Sequence, residues 1–61
     1  MKLMGRDVEV GMMVYVCEPV MPDELLEITK VGDLLWVESS GAFTYDGVAL
    51  YVDFLHLRWP D

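Results

Sequence analysis

From Asp7 to Cys17 the chain alternates strictly. Val8, Val10, Met12, Val14 and Val16 hold one phase; Asp7, Glu9, Gly11, Met13, Tyr15 and Cys17 hold the other. Side chains of a strand point alternately to its two faces, so a period of two with valine enrichment predicts a strand. Gly11 inside the run marks a bend or bulge and makes Val8–Val10 an approach to the strand.

The alternation from Leu25 to Glu38 is the segment around which the rest is organised. It reads as two strands joined at Gly32-Asp33, a type II′ hairpin connection in which glycine supplies the positive φ at the first central position. Such a turn sets Val31 opposite Leu34, Thr29 opposite Trp36, Ile28 opposite Val37 and Glu27 opposite Glu38. Leu26, Ile28, Leu35 and Val37 then share a core face that ends at Lys30. Glu27, Thr29, Val31, Leu34, Trp36 and Glu38 form a partly wet outer face.

The other segments are shorter. Met1 to Arg6 has no period and, with Asp7, reads as a loose lead-in. Pro19 and Pro22 cannot donate to a ladder, so Glu18–Glu24 is an irregular loop. Asp23-Glu24 would also suit the acidic first turn of a helix, but the alternation from Leu25 to Thr29 favours strand. Ser39-Ser40-Gly41 is a turn, Ala42–Tyr45 a short strand, and Asp46-Gly47 a type I′ hairpin signal. Val48, Leu50 and Val52 alternate with Ala49, Tyr51 and Asp53 until Phe54-Leu55 breaks the phase. Leu55, Leu57 and Trp59 then oppose His56 and Arg58, a slip that a bulge or a single 3₁₀ turn produces. Short strands with frequent turns and no helical period predict an all-β domain over residues 1–61, a small five-stranded antiparallel barrel with one 3₁₀ turn before the last strand. Closure would protect the edges of so small a sheet.

Pro22-Asp-Glu-Leu-Leu-Glu-Ile-Thr-Lys-Val-Gly-Asp-Leu-Leu-Trp-Val-Glu38 resembles the acidic loop, turn and following strand of Src-homology-3-type (SH3-like) barrels. Gly47-Val-Ala-Leu-Tyr-Val-Asp-Phe-Leu-His-Leu57 is similar to the last two strands of that family with their intervening 3₁₀ turn. Val10-Gly11-Met12 with Val14 and Val16 is similar to the first strand of bacterial barrels of this type, so the resemblance covers residues 10–58. It implies a barrel that serves as a protein-interaction module. Proline-rich peptide binding does not carry over: Trp36 alone stands in for the family's paired groove aromatics, and Val52 occupies the place of its proline.

Composition adds a constraint. A chain of 61 residues is close to the lower limit for a core that folds alone. One cysteine excludes an internal disulfide, and one Cys with one His cannot build a four-ligand zinc site. Yet 54% of the residues are hydrophobic, so apolar surface is left over for self-association, expected as a homodimer, or for a partner. Met1–Gly11 has charges and no apolar run, which is unlike a signal peptide, and no stretch approaches the length of a membrane span. The lone thiol fits a reducing, cytoplasmic setting.

A net charge of −7 argues against direct nucleic-acid binding. From Glu18 to Asp53 eight acids face one base, Lys30, and a field of that sign attracts basic partners. Candidate chemistry is sparse. Cys17 has no basic neighbour in sequence to activate it, and His56 falls on the polar phase of the last strand. Glu27 and Glu38 form a cross-strand carboxylate pair without a sign of a cleft. No phosphate loop or Ser-His-Asp spacing is present, so neither an enzyme nor a metal or cofactor site is expected.

The aromatics are more informative, because Trp36, Tyr15, Phe43, Tyr45 and Tyr51 all fall outside the predicted core face. The resulting expectation is a small acidic module that binds a basic protein or peptide through Trp36, Glu27, Glu38, Glu24, Asp23, Tyr15, Phe43 and Tyr45. Alternatives are an acidic nucleic-acid mimic that inhibits a DNA-binding enzyme, or a structural subunit of a homo-oligomer.

Overall fold

The computed structural model describes residues 1–61, which form seven short strands and no helix. They are β1 (Lys2–Leu3), β2 (Arg6–Asp7), β3 (Met13–Cys17), β4 (Glu24–Val31), β5 (Leu35–Val37), β6 (Gly41–Phe43) and β7 (His56–Arg58). β1 pairs with β2 alone, and the other five build one antiparallel sheet in the order β6-β5-β4-β3-β7. β3 to β6 run as a meander, and β7 returns to the far side of β3.

The sheet curls into a half-barrel. Its edge strands β6 and β7 are linked by single bridges, Phe43 to Ala49 and Val48 to His56, rather than by a closing ladder. The Thr44 N–H donates to the Val48 carbonyl (2.9 Å), Leu50 N–H to Ala42 (3.1 Å) and Leu57 N–H to Gly47 (2.8 Å). The concave side holds one apolar cluster that includes Val14, Val16, Ile28, Leu35, Val37, Phe43, Leu55 and Leu57.

The central hairpin keeps part of its expected register. Ile28 pairs with Val37, and the Glu38 N–H donates to the Glu27 carbonyl (3.0 Å). Beyond Ile28 the ladder shifts by one residue, so Lys30 pairs with Trp36 and Val31 with Leu35, in place of the Thr29–Trp36 and Val31–Leu34 pairs expected. Thr29 is the extra residue of a β-bulge. The consequence is chemical: the bulge turns Lys30 to solvent and Val31 onto the core, where strict alternation would have done the reverse. The connection becomes Gly32–Leu34, with the Gly32 N–H donating to Leu34 (3.2 Å), and Gly32 has no positive φ.

Glycine is therefore dispensable at Gly32, where an added Cβ meets nothing within 4 Å, and Gly32→Val should move stability by no more than about 0.5 kcal/mol. Gly47 is the contrasting case, with a φ of +84° and Met4 Sδ 2.8 Å from where a Cβ would lie. Gly47→Ala should cost more than about 1 kcal/mol, and urea denaturation of the two variants checks the pair.

Three other segments depart from expectation. Residues 1–7 are not a loose lead-in: Met4 and Gly5 both take positive φ, as a type I′ turn requires, and join β1 to β2. Leu3 is fully buried, the Trp59 indole N–H donates to its carbonyl (3.1 Å), and the Met4 N–H donates to Tyr45 (2.9 Å). Asp46-Gly47 is not a type I′ turn, because only Gly47 has positive φ and its N–H closes back on Thr44 (3.0 Å). In Val48–Asp53 Ala49 is buried and Val52 packs on the core, while Val48 and Leu50 are exposed. Ala49 is bridged to the fully buried Phe43. The phase slip at Phe54-Leu55 is present as a single turn in which the Leu55 N–H donates to Val52 (3.3 Å), not as a 3₁₀ helix.

Candidate functional site

The convex face of the sheet is ordered in cross-strand rows. Arg58, Tyr15 and Leu25 form one row, and Met13 with Glu27 another that continues to Glu38. Lys30, Trp36 and Ala42 form a third. Trp36 is half-buried and lies outside the apolar cluster of the core, so its ring belongs to this face. Glu27 and Glu38 are exposed beside it, and the like-charge pair is relieved because a Glu38 carboxylate oxygen accepts the Glu27 backbone N–H (3.1 Å).

At the other end of the face the loop before β4 is tied down by a cation. The Arg58 guanidinium lies 4.3 Å from the Tyr15 ring centroid and donates from Nε to Asp23 Oδ2 (3.1 Å), with Nη2 3.0 Å from the same oxygen. Beside it a shallow recess of about 250 Å³ is lined by Val16, Glu18, Met21, Pro22, Asp23 and Glu24.

The convex face thus brings together Glu27, Trp36 and Glu38 at one end and Tyr15 with Asp23, through Arg58, at the other, whereas Glu24 stands opposite the buried Val16, in the other phase of β4, and lines the recess. Two residues leave the site. Phe43 is fully buried at the centre of the core. Tyr45 packs on the core, and its hydroxyl donates to the Gly32 carbonyl (2.6 Å), holding the hairpin loop. Sequence reasoning missed Leu25 in the Tyr15 row, Met13 beside Glu27 and Met21 in the recess, all exposed apolar residues. The outward phase of Leu25 is visible in the alternation, but leucine by itself reads as core.

Ion pairing leaves the chain as a whole strongly unbalanced. Lys2 pairs with Asp7 (3.2 Å), Arg6 with Asp61 (2.7 Å) and Arg58 with Asp23 (3.0 Å). Of the four bases only Lys30 lacks an ion pair, whereas eight of the eleven carboxylates lack one.

Cys17 stands opposite His56 in the ladder, yet its thiol is buried. Burial, followed by the neighbouring Asp23, pushes its pKa up, which is the reverse of what a nucleophile needs. Native Cys17 should therefore react with iodoacetamide at least about tenfold more slowly than an unfolded control at pH 8, and the difference should vanish in urea. A thiol raised in the folded state adds stability only while it stays protonated. That contribution is present at neutral pH and is lost as pH climbs beyond the ordinary thiol value.

No known protein-family model matches the chain, and no curated protein or solved structure is significantly similar to it. What is established is the class: an all-β chain with a curled five-stranded antiparallel sheet and a separate two-stranded hairpin. No helix is long and apolar enough to cross a membrane.

Proposed function

We propose that this chain is a small acidic interaction module, built as an SH3-type barrel, that captures a basic protein or peptide on its convex face and performs no catalysis. The observation that carries the proposal is the charge imbalance of the chain, eight carboxylates without an ion pair against one such base, with Glu27 and Glu38 beside Trp36. A half-desolvated indole offers an arginine or lysine its ring face, and Glu27 and Glu38 beside it accept charge-assisted hydrogen bonds. Arg58 provides an internal precedent, since this protein already holds one guanidinium between an aromatic ring and a carboxylate. A reducing, cytoplasmic setting suits the single buried thiol.

Titration of a fluorescent Arg/Lys-rich peptide at low and high salt tests this reading. Affinity should fall steeply with ionic strength, and an acidic peptide of equal length should not bind. Binding indifferent to both salt and peptide charge would sink the proposal.

A further inference from the structure

A second group of exposed apolar side chains lies in the segment that follows β6. Within the seven residues Val48–Phe54, four large apolar side chains point to solvent: Val48 is 48% exposed, Leu50 43%, Tyr51 73% and Phe54 55%. Val48 and Leu50 flank the buried Ala49 and so share the outward side of the segment. The Leu50 N–H donates to Ala42, which sets the segment along β6, and Tyr51 lies over Gly41 in the same strand, its Cδ2 3.9 Å from where a Cβ there would sit.

We propose that this strip is the interface of a homodimer. Charge selects the occupant. Between Gly47 and Leu57 the chain carries one acid, Asp53, and no lysine or arginine, whereas Glu18–Glu38 carries six acids. A basic partner is drawn to the second region; a copy that itself carries a net charge of −7 meets least repulsion at the first.

Area agrees with the choice. A stable interface needs about 800 Å² from each partner, roughly a fifth of the 3894 Å² surface of this chain. Tyr51 and Phe54 alone expose roughly 200–300 Å² on the usual scale for aromatic side chains. With Val48 and Leu50 they supply the apolar centre of such a patch, and the residues bordering it supply the rim.

The salt dependence has the opposite sign to that of basic-partner capture. Raising salt from about 0.1 M to about 1 M shortens the screening length from about 10 Å to about 3 Å, which weakens repulsion between two acidic copies. Sedimentation equilibrium of the purified chain from micromolar to near-millimolar concentration should show a species of twice 7.0 kDa whose formation strengthens with salt. Tyr51→Ser combined with Phe54→Ser should weaken association at least about tenfold while the cooperative thermal melt persists. Leu50→Glu gives a second route to the same loss should the double variant fail to fold. Trp36→Ala should dimerise like the parent, which separates this surface from the proposed peptide site. A mass of 7.0 kDa throughout, a dimer that salt dissociates, or a double variant that folds and associates unchanged would each overturn the assignment.

Discussion

Replacing Phe43 by alanine should leave the protein largely unfolded at 37 °C. Its side chain is 0% exposed, pairs across the sheet with Leu35 and is bridged to Ala49, so the truncation opens a cavity where the curled sheet meets the segment spanning its edges. Removing a buried phenylalanine costs about 3–5 kcal/mol. The whole stability of a chain this short is about 3–9 kcal/mol at the usual allotment per residue. The melting temperature should drop by at least about 12 °C, given about 4–8 °C per kcal/mol for a domain of this size. Circular dichroism and amide chemical-shift dispersion measure the outcome directly. A variant that melts within a few degrees of the parent would remove Phe43 from the core and restore it as a surface aromatic.

Trp36→Ala should do the opposite: preserve the fold and abolish capture. The indole belongs to the convex face, between Lys30 and Ala42, and does not join the apolar cluster that stabilises the sheet. Truncating an aromatic anchor at an interface centre typically costs about 2 kcal/mol or more, equivalent to at least about a thirtyfold loss of affinity for the basic peptide. Glu24→Gln, an exposed change at the recess, should instead slow association at low salt and leave dissociation almost unchanged. An unfolded Trp36→Ala protein would mean the indole is structural. A folded one with parental affinity would move the binding surface toward Tyr15 and Leu25.

Both outcomes depend on which face each side chain occupies, and the amino-acid pattern carries part of that assignment. Alternation places Val14, Val16, Ile28, Leu35 and Val37 inward, because pleating gives a strand no other way to bury every second residue. It also locates the phase slip that buries Leu55 and Leu57 beside exposed His56 and Arg58. The net negative charge of the surface follows from composition alone.

Periodicity could not locate the extra residue at Thr29, because a bulge depends on how two strands align and not on either strand alone. That one shift decides that Lys30 and not Val31 is exposed beside Trp36. β1 and β2, of two residues each, are too short to show a period, and they gain their place only by capping the core with Leu3. The hydrogen bond that holds Tyr45 to Gly32 and the ion pairs that join Arg6 to Asp61 and Arg58 to Asp23 span long stretches of chain, and Phe43 leaves the surface only where β5 and the segment after β6 close over it. Sequence alone determined the strands β3, β4 and β5 and, up to the bulge, which sides of them are apolar. Only the tertiary structure decided which aromatics remain outside and which charges remain unpaired, because both depend on what the curled sheet brings against them from distant parts of the chain.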